Sequence, residues 1–113
     1  MSKIKMKEIC NIHGLPTTRH ILIKTKDDEE RVINHLSLPV IVKLAYGYGS
    51  VGLYKESRVA NREGLAPVIE RLKKEVESPE IYVEEFVDGR EFTVMVIENP
   101  DSEADPIVLT PME

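Results

Sequence analysis

Ile81-Tyr82-Val83-Glu84-Glu85-Phe86-Val87-Asp88-Gly89-Arg90-Glu91-Phe92-Thr93-Val94 is the stretch whose reading decides the fold. Apolar and β-prone residues flank Asp88-Gly89, a dipeptide suited to a tight turn. Two strands are expected, Ile81 to Val87 and Glu91 to Ile97, joined through that turn as a hairpin. Alternation sets Ile81, Val83, Glu85 and Val87 on one face of the first strand and Tyr82, Glu84 and Phe86 on the other. A carboxylate beside an aromatic ring is costly to bury unless it meets a polar partner.

Upstream of this stretch, Leu65, Val68, Ile69, Leu72 and Val76 recur at helical spacing and predict an amphipathic helix ended by Ser78-Pro79. Pro67 requires that helix to begin close to Gly64 or to bend there. Before it, Pro39 opens a β-branched strand, Val40-Ile41-Val42-Lys43, which runs into Ala45-Tyr46-Gly47-Tyr48-Gly49-Ser50-Val51-Gly52. Extended structure resumes at Leu53 to Lys55. Further back, Thr25 with Asp28 starts a helix in the manner of a capping box, its core face formed by Val32, Ile33 and Leu36 and its end near Ser37. Ile21 to Ile23 form a short strand. A first helix, Ser2 to His13, stops at Gly14, and Pro16 bars its continuation. Downstream, the polar break Asn99 to Asp105 precedes a last strand at Ile107 to Leu109. This order implies an α/β (α+β) layer fold whose sheet is covered on one face.

Composition narrows the classes. At 113 residues the chain is one domain at most, or part of one, and 42% hydrophobic residues suffice for a core. Charged residues at 31% and apolar runs far short of a bilayer span speak against a membrane protein. A net charge of −5 with mixed signs argues against a nucleic-acid surface. One cysteine, Cys10, excludes an intrachain disulfide and suits the cytoplasm. His13, His20 and His35 have no metal-ligand spacing among themselves or with Cys10.

Two groups of residues carry chemistry. Lys43 ends a strand beside a glycine-rich loop, where glycines let backbone amides approach phosphate and Ser50 adds a hydroxyl. The alternative is a surface lysine followed by a hairpin turn. No Gly-Lys-Ser/Thr closes the loop, so it is not a Walker motif. Glu84 could meet the exocyclic amine of adenine and Glu91 the hydroxyls of ribose. Their alternative is a half-exposed hairpin with its carboxylates on the wet side.

In order, Gly14 to Thr17, Leu38 to Gly52 and Ile81 to Val94 resemble the D-alanine–D-alanine ligase family of ATP-grasp enzymes, over nearly the whole chain to about Val96. The resemblance implies an ATP-grasp lid subdomain over residues 1–87 and the first strands of the catalytic subdomain over residues 88–113. It implies ATP as ligand, with Lys43 as the phosphate-binding lysine, Lys3 as another ATP-binding lysine, and Gly49, Ser50, Val51 and Gly52 in a loop closing over the triphosphate. Glu84 takes the place of the adenine-recognising glutamate, Phe86 and Val87 of the adjoining hinge, with Val87 acting through its backbone, and Glu91 of the ribose-binding glutamate. Where the family usually has an aspartate before the first lysine, Ser2 stands here. Leu44 replaces the usual proline after Lys43, and Tyr46 and Tyr48 make the loop tyrosine-rich, which points to substrates other than D-alanine.

The implied reaction phosphorylates a small carboxylate to an acylphosphate, which an amine attacks. Magnesium would neutralise the phosphates, its ligands expected beyond the end of this chain, so that the chain alone is expected to be an inactive part of a ligase. Asp101, Glu103 and Asp105 read as solvated loop acids. The competing expectation is a non-catalytic binding or interaction module derived from the same fold. A homodimer is compatible with either.

Overall fold

The computed structural model describes residues 2–46 and 57–113. Helix α1 (Lys3–Ile12) starts at Ser2, whose hydroxyl accepts from the Lys5 amide at 3.4 Å. It stops where Gly14 adopts φ +68, a left-handed turn that glycine enters without steric cost. Strand β1 (His20–Ile23) follows, then helix α2 (Lys26–His35). The Asp28 carboxylate reaches back to accept from the backbone amides of Lys24 at 2.8 Å and Thr25 at 3.0 Å, so the expected N-terminal cap forms.

Strand β2 (Val40–Leu44) runs one residue further than expected, and a short strand β3 (Arg58–Val59) pairs with it. A 3-10 turn over Arg62–Gly64 leads into α3 (Leu65–Glu75). Pro67 therefore lies in the first helical turn, where its missing N–H would have had no helical partner in any case. The helix begins rather than bends there. The extended segment expected at 53–55 lies outside the described residues.

Strand β4 (Ile81–Glu85) enters the sheet last and takes an inner position. The order is β1-β4-β2-β3, and every neighbouring pair is antiparallel. Ile21 and Ile23 of β1, Val40, Val42 and Leu44 of β2, and Ile81 and Val83 of β4 turn one face toward α2 and α3, where Val32, Leu65, Ile69 and Leu72 complete the core.

The expected hairpin through Asp88-Gly89 does not form. Both edges of β4 are already occupied, by β1 and β2, so no edge is left for the residues that follow. The strand expected over Glu91 to Ile97 shrinks to β5 (Val96–Ile97), which pairs with β6 (Ile107–Val108) in a separate two-stranded ribbon. Thr93 and Met112 extend that ribbon by one bridge. The polar break becomes the hairpin's loop: Asn99 Nδ2 donates to the Asp105 carbonyl at 2.9 Å and Ser102 Oγ to Asp105 Oδ2 at 3.1 Å.

Candidate functional site

The site lies on the sheet face opposite α2 and α3. Register places Lys43 directly across from Tyr82 and Ile41 across from Glu84, so Lys43 and Glu84 are diagonal neighbours on that face. On the other side of β4, His20 stands across from Glu84, and its ring meets Tyr82 edge-on at 6.3 Å. Helix α1 crosses part of this face. Its first turn is tied to the end of β2, because the Lys3 amide donates to the Ala45 carbonyl at 2.9 Å. The Ala45 amide in turn donates to the Glu80 carbonyl at 2.8 Å, fixing the start of β4 beside both.

Glu84 is 7% exposed and is surrounded by donors. Lys43 Nζ approaches Oε1 at 2.5 Å. Lys7 Nζ approaches Oε2 at 2.6 Å, and the Thr18 hydroxyl donates to the same oxygen at 2.5 Å. For Glu84 the alternative of a carboxylate on the wet side of a hairpin is overturned. The polar partners that a buried acid requires come from the chain's own lysines and threonine. Burial would push the Glu84 carboxyl up, but hydrogen bonds from Lys43, Lys7 and Thr18 and the charge of Lys43 outweigh it and hold the group below its ordinary range. Burial, and then the negative charge of Glu84, push the Tyr82 phenol up, so it stays neutral. Burial, followed by the charge of Lys7, lowers the His20 imidazole.

Above this network is a cavity of ≈ 490 Å³ between α1, the segment before β1, β2 and β4. Lys3, Lys7 and Lys43 line it together with Glu84, Tyr82, Met6, Thr17 and Thr18. Three ammonium groups against one carboxylate leave the lining with an excess of positive charge in a chain whose net charge is −5. Such a lining favours a multiply charged anion.

Three of the residues expected from the sequence, Lys3, Lys43 and Glu84, are thus brought together. Gly49, Ser50, Val51 and Gly52 lie outside the described residues. Phe86 sits just beyond β4, with the Arg58 guanidinium 5.0 Å from its ring centre and its own amide donating to the Pro39 carbonyl at 3.0 Å. Val87 is 71% exposed, and Glu91 is exposed as well. None of these last three lines the cavity among the described residues.

Lys7, Thr17 and Thr18 were not anticipated. The signal was available for Lys7, which follows Lys3 by one helical turn and so shares its face. The adjacent acid Glu85 does different work. Arg19 grips it with two bonds, Nε to Oε1 at 3.0 Å and a terminal nitrogen to Oε2 at 2.7 Å, and the Ser37 amide adds a third at 2.7 Å.

Residues 9–110 match the family described as D-ala D-ala ligase C-terminus. The chain belongs to that family. It is 32% identical over 97 residues to the D-alanine–D-alanine ligase of Acinetobacter baylyi, covering 86% of this chain and 30% of that protein. With the enzyme of the same name from Acinetobacter baumannii it shares 35% identity over 94 residues, 83% of this chain and 29% of the relative. The chain therefore spans less than a third of the length of these relatives. Among solved structures it is similar to N5-carboxyaminoimidazole synthase from Aspergillus clavatus, determined in complex with ADP and 5-aminoimidazole ribonucleotide, with a TM-score of 0.74. That likeness covers 97% of this chain and 26% of the other at 19% identity, and it shows a shared ATP-grasp fold. No helix among the described residues is long and apolar enough to cross a membrane.

Proposed function

We propose that this D-alanine–D-alanine ligase family chain supplies the ATP-binding part of a carboxylate–amine ligase. The observation that carries the proposal is the convergence of Lys3, Lys43 and Glu84 on one cavity from three separate elements, α1, β2 and β4. The excess positive charge suits the triphosphate. Lys43 is placed to bind it, because its side chain is 30% exposed and three protons serve a single acceptor among the described residues. Glu84 reads the exocyclic amine of adenine, with Phe86 and Val87 as the hinge and Glu91 on the ribose. Gly49 to Gly52 close over the phosphates. In this reading residues 1–87 form the lid subdomain and residues 88–113 open the catalytic one.

A divalent cation does not fit the cavity itself. Glu84 is its one lining carboxylate among the described residues, and two ammonium groups already engage it. Magnesium would reach the phosphates on other ligands. When bound, ATP supplies the phosphoryl group that activates a carboxylate toward an amine. The residues of this chain hold and orient the nucleotide.

Calorimetric titration of the chain with magnesium-ATP tests this. Lys43→Ala should weaken binding about tenfold or more, as expected for the loss of a charged phosphate contact. No binding by the unaltered chain, or equal affinity of a folded Lys43→Ala variant, would overturn the proposal.

A further inference from the structure

The two oxygens of Glu84 have unlike surroundings. Oε2 faces inward to Lys7 at 2.6 Å and the Thr18 hydroxyl at 2.5 Å, whereas Oε1 meets Lys43. Lys7 is 6% exposed, an unusual state for a lysine. Its ammonium is fully engaged: besides Glu84 it donates to Thr17 Oγ1 at 3.0 Å, Thr18 Oγ1 at 2.7 Å and the Thr18 carbonyl at 3.2 Å. Three protons serve four acceptors, so none is spare for a ligand. Lys43 differs. Its side chain is 30% exposed and has one partner among the described residues.

We infer that Lys7 is a positioning residue that pins one oxygen of Glu84 so that the other can read a purine base. The inference rests on the adenine role proposed above for Glu84. A carboxylate held on one oxygen loses its rotational freedom, and its free lone pairs then point in a fixed direction. Without Lys7 and Thr18, Glu84 would turn toward whichever cation was nearest. With them, Oε1 remains aimed into the cavity whether or not Lys43 is attached. When a triphosphate enters, Lys43 exchanges Glu84 for phosphate, and the vacated Oε1 accepts from the exocyclic amine. Lys7 keeps the buried acid paired throughout, so Glu84 is never left as an isolated buried charge. The arrangement also accounts for the turn at Gly14, since the backbone must fold back there to bring Thr17 and Thr18 under the Lys7 ammonium.

The test compares magnesium-ATP with magnesium-ITP, whose base carries an oxygen where adenine has the amine, by calorimetry on the whole chain. The unaltered chain should prefer ATP by about tenfold, the value of one well-made charged hydrogen bond. Lys7→Met should weaken ATP about tenfold while changing ITP by no more than about threefold, so that the preference largely disappears. Should Lys7→Met fail to fold, Thr18→Val asks the same question, and Thr18→Ser should restore the preference. Equal losses for both nucleotides, or an unchanged ratio in a folded variant, would overturn the inference and leave nucleotide binding standing. An unaltered chain that binds both nucleotides equally removes the adenine role of Glu84, and one that binds neither removes the function proposed above.

Discussion

Lys43 Nζ lies 2.5 Å from Glu84 Oε1, while Lys7 holds the other oxygen of the same carboxylate at 2.6 Å. One buried acid thus joins a helix, an inner strand and the strand beside it. Removing its charge while keeping its shape should be expensive, because Lys7 would remain buried beside a second cation with no counter-charge. Glu84→Gln is expected to cost about 3 kcal/mol, the usual scale for breaking a buried pair from one side. Urea denaturation would measure it, and Glu84→Gln combined with Lys7→Met should recover part of the loss. An unchanged midpoint for Glu84→Gln would show that the pair contributes nothing to folding.

Acid should destabilise the chain through carboxyls that are held ionised. The Arg19 hydrogen bond, then the Ser37 amide and the charge of Arg19, bring Glu85 from an ordinary 4.5 down to about 2. Backbone amides of Lys24 and Thr25, followed by Arg31, bring Asp28 from 3.8 to about 2. A lowered folded-state value means that the unfolded chain takes up protons first as pH falls. The stabilisation is complete above the ordinary values and is lost as pH drops from 4.5 toward about 2. Carboxyl titration by NMR should place both groups near that lower limit. A Glu85 carboxyl titrating at its ordinary value would contradict the Arg19 clamp.

Core packing makes a sharp contrast between two apolar residues. Leu72 is 0% exposed within the cluster formed by α2, α3 and the sheet, and Val87 is 71% exposed beyond β4. Leu72→Ala should cost roughly 2–5 kcal/mol from lost burial and the cavity left behind. Val87→Ala should stay within about 0.5 kcal/mol. Thermal melting of the two variants should separate them clearly.

Gly14 isolates a backbone effect. Its φ of +68 is disfavoured for side-chain-bearing residues, yet a Cβ added there would meet no atom within 4 Å. Gly14→Ala should therefore destabilise by about 1 kcal/mol through conformation alone, and Gly14→Asn by less. If alanine were tolerated without loss in a denaturation experiment, the left-handed turn would not be a requirement of the fold.

Local signals were legible where the deciding interaction is itself local. Thr25 and Asp28 announced α2 because cap and capped amides lie within one turn of chain. The spacing of Leu65, Val68, Ile69 and Leu72 announced α3, because one helix face must meet the core. Strand β2 showed in its β-branched run, and the family resemblance grouped Lys3, Lys43 and Glu84, which line one cavity. What misled was Asp88-Gly89. Its turn chemistry is real as a local preference, but a hairpin also needs a free strand edge, and pairing with β1 and β2 had removed both edges of β4.

The order of helices and strands, the caps and the apolar faces were thus determined by the sequence itself, since each depends on residues a few positions apart. Tertiary structure alone decided that β4 lies between β1 and β2, that β5 turns to β6, and that Lys7 and Lys43 meet on Glu84. Those outcomes depend on distant segments competing for the same strand edge or the same buried charge. No local stretch of sequence contains the winner of that competition, because the free energies being compared belong to contacts that exist only once the chain has closed.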